Sequence, residues 1–203
     1  MSASNPASLS PFFDLPTEIT HLPEDIQATI LEVQEKAGFI PNVFLMLAAR
    51  PDEFRAFLAY YNALMEKESE TLTLAEKEML VVATSSRNQC LYCVVAHGAM
   101  LRVFSKQPLL ADQLAVNHTT APLRKRHRLM LDFGLHLGVE AKPLTKKWVK
   151  KLEKVGFTRN DIWDIGAVCS FFALSNRMVA LTGTPPNDEF YLLGRLPREK
   201  QPG

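Results

Sequence analysis

The chain has 203 residues, 47% of them hydrophobic, which suits one domain with a sizeable core. Its formal net charge is +1, so nothing global points to nucleic acid or to an anionic membrane as a partner. No apolar run approaches the ~20 residues needed to span a bilayer, and Met1 to Asp14 lack the layout of a secretory signal or a mitochondrial presequence.

Strand signals are weak, whereas helix start and stop signals recur. Residues 1–20, rich in Ser, Pro and Asn, form an expected irregular arm ahead of one helical domain over 21–196. Pro23-Glu24-Asp25 opens a helix that Gly38 ends, and Pro41-Asn42 starts a short apolar one. Pro51-Asp52-Glu53 opens the next, with Phe54, Phe57, Leu58, Tyr61 and Leu64 at helical spacing. Thr73 and Glu76 form a capping box. The helix it opens carries Met79-Leu80-Val81-Val82-Ala83, apolar on every side and therefore buried. A further helix, from about Leu91 to Phe104, carries Cys93 and His97.

Pro122 is placed in the first turn of a helix that Gly138 closes. The basic run Arg124-Lys125-Arg126-His127-Arg128 alternates faces on that helix and reads as a solvated start rather than a phosphate-binding patch. Thr145 caps a helix that ends at Gly156. Thr158-Arg159-Asn160-Asp161 opens the last long one, which runs to Gly183 and is stopped by Pro185-Pro186. Residues 197–203 are an expected loose tail. The expected fold is a single-domain, all-α helical bundle.

Two of the three cysteines are three residues apart, and a histidine follows one helical turn later: Cys90-x-x-Cys93-x-x-x-His97. With few cysteines and no export signal, the expected compartment is the reducing cytoplasm. There such a pair is more often catalytic or metal-binding than structural. A thiol is a nucleophile only as thiolate. In the first turn of its helix, Cys93 would meet free N–H groups and the positive end of the helix dipole, so a lowered pKa is expected for it. Cys90, just outside, is close enough for a disulfide with Cys93. His97 shares the face of Cys93, four residues on, and an imidazole there suits proton transfer near neutral pH.

Glu78 precedes the apolar run and shares a face with Val81, Val82 and Ser85. A carboxylate beside a buried face usually has a partner, and His97 is a candidate. A metal reading competes: the pair and His97 supply three zinc ligands where structural zinc wants four. Cys169 or another histidine would have to be the fourth. A coincidental pair of buried cysteines is the third alternative. Cys169, amid Ala167, Val168 and Phe171, reads as a buried small apolar side chain.

The order glutamate, eleven residues, then CxxCxxxH resembles the alkyl hydroperoxidase D-like family within the carboxymuconolactone decarboxylase superfamily, with Glu78, Cys90, Cys93 and His97 as the matching residues. Gly38-Phe39-Ile40-Pro41-Asn42, Asn88-Gln89-Cys90, Asn176-Arg177 and Pro186-Asn187 resemble the branch known as peroxidase-related proteins, so the likeness spans about residues 22–195. It implies an alkyl hydroperoxidase D-like helical fold that assembles into homo-oligomers, commonly trimers or hexamers. It implies a thiol-dependent peroxidase with a hydroperoxide substrate. Cys93 would be the peroxidatic nucleophile and Cys90 the resolving thiol, while Glu78 and His97 relay the proton. It implies no bound cofactor or metal, only the redox-active disulfide and an external dithiol reductant, which in relatives is a lipoyl-bearing protein. Those relatives carry a histidine where Tyr92 stands, and a tyrosine cannot act as a base at neutral pH. The branch that decarboxylates lactones lacks the cysteine pair. A redox sensor, or a non-catalytic metal or interaction module on the same scaffold, is the alternative function.

Overall fold

A computed structural model describes residues 9–195 apart from 68 and 70, so residues 1–8 of the arm and the tail 197–203 lie outside the described residues. Among the described residues there are ten α-helices and no strands. They are α1 (Glu24–Ala37), α2 (Asn42–Ala48), α3 (Pro51–Met65), α4 (Leu74–Arg87), α5 (Leu91–Ser105), α6 (Leu110–Asn117), α7 (Lys125–Gly138), α8 (Lys146–Glu153), α9 (Arg159–Thr182) and α10 (Glu189–Leu192). The all-α expectation holds.

Helix α4 is the axis of the bundle. Its capping box is formed: Thr73 Oγ1 accepts from the Glu76 N–H, and Glu76 Oε2 accepts from the Thr73 N–H. Met79 to Ala83 are buried on all sides, because α4 packs against α5, α6, α7 and α9. Even Lys77 is buried, its ammonium donating to Leu64 O (2.9 Å) and Lys67 O (2.7 Å). Those carbonyls end α3, where a cation is favoured.

Two apolar clusters result. The larger joins α4, α6, α7, α8 and α9. The smaller packs α1, α2, α3 and α10 onto the N-terminal half of α5 and the end of α9, and contains Cys90 and Cys93. Arg102 of α5 holds α10 in place, donating to Leu193 O (2.9 Å) and Phe190 O (2.8 Å). Two sequence motifs far apart in the chain clasp each other at this end. Asn187 Oδ1 accepts from the Asn42 N–H (2.7 Å), and Asn187 Nδ2 donates to Ile40 O (2.9 Å).

Three details differ from the expectations. Helix α7 starts at Lys125, not at Pro122, and Arg124 in extended conformation is its N-cap. The basic run is only partly solvated: Arg126 donates to Glu76 Oε1 (2.8 Å) and lies 3.5 Å over the Phe157 ring. It ties α7 to the start of α4. Helices α6 and α10 carry no side-chain cap, so no start signal announces them.

The arm is irregular over its described part, and Ser10 Oγ donates to Thr182 O at 2.5 Å, docking it on the end of α9. Helix α9 is long and apolar enough to cross a membrane by length and composition, but half of its most apolar stretch is buried within the fold, as in a core helix.

Candidate active site

Helices α4, α5 and α9 converge on the cysteine pair. Helix α4 ends at Arg87, and the chain turns through Asn88 and Gln89 to put Cys90 at the N-cap of α5. Gln89 has φ of +58°, a left-handed conformation that costs a non-glycine residue energy. The Cys90 N–H closes the turn on Ser85 O at 3.0 Å. Cys93 lies in the first turn of α5, and both thiols are free and buried, with 5% exposure at Cys90 and 1% at Cys93.

His97 is one turn beyond Cys93 on α5. Its Nδ1 is 2.8 Å from Glu78 Oε2 of α4, with the glutamate side chain 2% and the histidine 14% exposed. A carboxylate that accepts the Nδ1 hydrogen leaves the lone pair on Nε2, where it can take a proton. The edge of the ring stands against Phe172 of α9, with centroids 4.5 Å apart. The imidazole is thus held by one hydrogen-bond partner and one aromatic wall, with little freedom to turn.

The two thiols shift in opposite directions, each chiefly because of the other. The Cys93 thiol, donating to Cys90, is the main cause that brings the Cys90 pKa down from 9.0 to about 7. Burial opposes it, while the Cys93 N–H, the nearby His97 and the Asn176 amide assist. Cys90 does not form a regular side-chain cap bond. The Cys93 N–H still points towards it and favours its charge. Cys93 moves the other way, well above the thiol range, because it donates to Cys90, is buried and feels the Cys90 charge. The expectation of a lowered Cys93 is therefore corrected for the reduced protein. The helix N-terminus does stabilise a thiolate, but on the N-cap sulfur in front of it rather than the one inside the first turn.

Tyr92 is buried, its hydroxyl accepts from the Val43 N–H at 3.1 Å, and burial raises its pKa. It anchors α2 to α5 and is spent on that contact. Cys169 sits in the larger cluster, where burial pushes its pKa up to about 12. It packs on α7, so closely that a Cβ at Gly138 would lie 2.9 Å from its own Cβ. It is not a fourth ligand beside the pair. Among the described residues, no three His, Cys, Asp or Glu side chains are grouped as metal ligands.

Four polar residues near the sulfurs carried no predicted role. Ser175 Oγ is 3.9 Å from Cys93 Sγ. Asn176 Nδ2 donates to Ser85 Oγ, and Asn88 Nδ2 donates to Asn176 Oδ1, both at 2.9 Å. Asn176 stands among the motif residues in the sequence, but 88 positions from Asn88, so spacing alone gives no sign that they meet.

Comparison with known proteins adds to this geometry. A model of the carboxymuconolactone decarboxylase family matches residues 51–108, the segment that holds Glu78, Cys90, Cys93 and His97. No curated protein matches the sequence. An uncharacterised peroxidase-related protein with an alkylhydroperoxidase AhpD core, from Ralstonia eutropha JMP134, is 55% identical over 92% of this chain and 97% of its own, with a TM-score of 0.88. Another uncharacterised peroxidase-related protein, from Silicibacter sp. TM1040, is 38% identical over 96% of this chain and 100% of its own, with a TM-score of 0.86. The debrominase Bmp8 bound to 2,3,4-tribromopyrrole shares the fold, with a TM-score of 0.70 at 15% identity over 87% of this chain and 96% of its own.

Proposed function

Because the chain belongs to the alkylhydroperoxidase AhpD-like proteins of the carboxymuconolactone decarboxylase superfamily, we propose that it is a thiol-dependent peroxidase working through a Cys90/Cys93 dithiol–disulfide cycle. A shared fold does not fix a reaction, so the reading rests on side chains. The observation that carries it is the Glu78–His97 pair, 2.8 Å apart, one helical turn from two free, buried thiols.

In the cycle, Cys93 is the attacking sulfur and Cys90 the resolving one. Cys93 first passes its proton to the Cys90 thiolate it already contacts. It then attacks the terminal oxygen of the hydroperoxide. An S–O bond forms and the O–O bond breaks. The alkoxide takes the Cys90 proton, relayed through His97, and leaves as alcohol. Glu78 stabilises the imidazolium that forms during the relay. Cys90, now the thiolate, attacks the sulfenic acid. A disulfide forms and hydroxide leaves, taking a proton from solvent. The dithiol has given two electrons to the O–O bond. An external dithiol, carried by a lipoyl-type protein, returns them. No bound metal or cofactor takes part in this scheme.

The same reading includes self-association. Trp163, Leu174 and Leu181 are exposed and lie 11 and 18 residues apart, which returns them to one face of α9. An exposed apolar stripe of this kind suits a contact between copies of the chain.

The decisive experiment is a peroxidase assay of the purified protein with several hydroperoxides and both lipoyl-type and thioredoxin-type dithiol donors. Turnover with at least one donor, lost in Cys93→Ser, is expected. Unchanged turnover in Cys93→Ser, or none with any donor, would overturn the reading.

A further inference from the structure

We infer that Asn176 is a positioning residue that clamps the cysteine-bearing turn to α9 and so sets how the two sulfurs face each other. The inference rests on the dithiol reading above. The turn from Ser85 to Cys90 needs such a clamp, because it passes through the left-handed Gln89 just before the N-cap cysteine. A strained residue at this point holds its conformation only if its surroundings impose it. The chain itself supplies one bond across the turn, from the Cys90 N–H to Ser85 O. The side chain of Asn176 supplies two more, one to each arm. It donates to Ser85 Oγ and accepts from Asn88 Nδ2.

These two bonds also fix the amide. Its oxygen is committed to Asn88 and one of its hydrogens to Ser85, so it cannot flip without losing both. The remaining N–H is left on the side of the sulfurs, where it favours a thiolate on either cysteine. Asn176 is 3% exposed, and Ser175 beside it reaches Cys93. One short stretch of α9 therefore addresses both cysteines, directly at Cys93 and through the turn at Cys90. Asn176 does not need to touch the peroxide. It acts through the placement and charge of the pair.

The test uses two variants of the full chain. Asn176→Leu keeps the size and removes both bonds. Asn176→Asp keeps the clamp, since the Ser85 hydroxyl can turn to donate and Asn88 can still donate, but it places a carboxylate where the donor was. The reduced proteins are alkylated with iodoacetamide across pH, and labelling of Cys90 is followed by mass spectrometry. The rate of disulfide closure is followed separately with diamide as oxidant.

Asn176→Asp is expected to fold with a lowered Tm, since its carboxylate is buried, and to raise the Cys90 alkylation midpoint by at least one pH unit, which slows labelling at pH 7 about fivefold or more. Asn176→Leu is expected to raise the midpoint and to slow closure about tenfold as well, because the turn is no longer held. A merely structural asparagine would lower the Tm of the leucine variant and leave the midpoint and the closure rate of both variants as in the wild type. That outcome would overturn the inference, and if the leucine variant fails to fold, Asn176→Ala, which also removes both bonds, takes its place in both readouts. Neither readout involves peroxide, so a protein without peroxidase turnover that still shows these shifts would sink the proposed function and leave the role of Asn176 standing.

Discussion

The charge of the reduced dithiol should rest on Cys90, and this can be measured without knowing the substrate. A drop from 9.0 to about 7 is a preference of about 3 kcal/mol for the thiolate. It leaves Cys90 roughly half ionised at pH 7, against about 1% for an unperturbed thiol. The leading cause is the hydrogen bond donated by Cys93. Bonds to a charged group contribute about 1.5–3 kcal/mol, which corresponds to one to two pH units. Site-resolved alkylation against pH should therefore give a Cys90 midpoint near 7 in the wild type. Cys93→Ser should stay within about half a unit of that, because a hydroxyl can donate in place of the thiol. Cys93→Ala, with no donor, should move up by one unit or more. In Cys90→Ser, the Cys93 midpoint should fall, because the bond to Cys90, the largest cause that raises it, and the Cys90 charge are gone. Cys169 is too buried and too high in pKa to confuse the labelling. A wild-type midpoint above about 8.5, or a Cys93→Ala midpoint that does not move, would refute the idea that the two thiols shift each other this way.

Two further outcomes test the surroundings. Glu78→Gln keeps the shape of the Glu78–His97 contact but removes its charge. Losing a charge-assisted bond of about 1.5–3 kcal/mol should slow peroxide-driven oxidation of the dithiol roughly 10–100-fold in stopped-flow traces. An unchanged rate in a folded variant would remove Glu78 from the relay. The second concerns acid stability. Burial raises the Glu76 pKa, but the contacts from His127, Arg126 and the Thr73 N–H outweigh it and bring it from 4.5 down to about 2. A carboxylate depressed on folding stabilises the protein above its unfolded pKa, and that stability goes as pH falls from about 4.5 to 2. Urea unfolding should show a Glu76 contribution of up to about 3 kcal/mol lost across that window, so Glu76→Gln should lose less stability there than the wild type. An equal slope in both proteins would show that Glu76 is not the group responsible.

Much of the frame is written in local signals. The capping boxes at Thr73 and Thr158 mark the starts of α4 and α9, and Gly38 and Gly183, both in left-handed conformation, mark where α1 and α9 stop. The unbroken apolar run Met79 to Ala83 predicts its own burial, since no face of that helix can be left to water. What depends on distant partners is not legible. Pro122 imitates a helix start, but the tertiary bonds of Arg126 to Glu76 and Val155 O accompany a start three residues later. Lys77 and Arg102 read as surface cations from their type, and they are buried because each meets carbonyls at the end of another helix or turn. In the site, helical spacing puts His97 beside Cys93, and Glu78 was placed near them only by its face on α4. Asn176 has no spacing rule to announce it, because its partners lie across the bundle.

The position of the cysteines between the two apolar clusters explains why several signature residues are structural rather than chemical. Cys90 and Cys93 belong to the smaller cluster, while Glu78 and Phe172 come from helices that build the larger one. The Glu78–His97 contact therefore crosses the seam between them. A slip of α5 against α4 and α9 would separate His97 from Glu78 and Cys93 from Ser175. The Asn42–Asn187 clasp, Tyr92 against α2 and Arg102 against α10 tie α2 and α10 to each other and to α5. Tyr92 in particular spends its hydroxyl on the start of α2. Tyr92 thus contributes rigidity beside the cysteines, and in the proposed cycle His97 carries the proton alone.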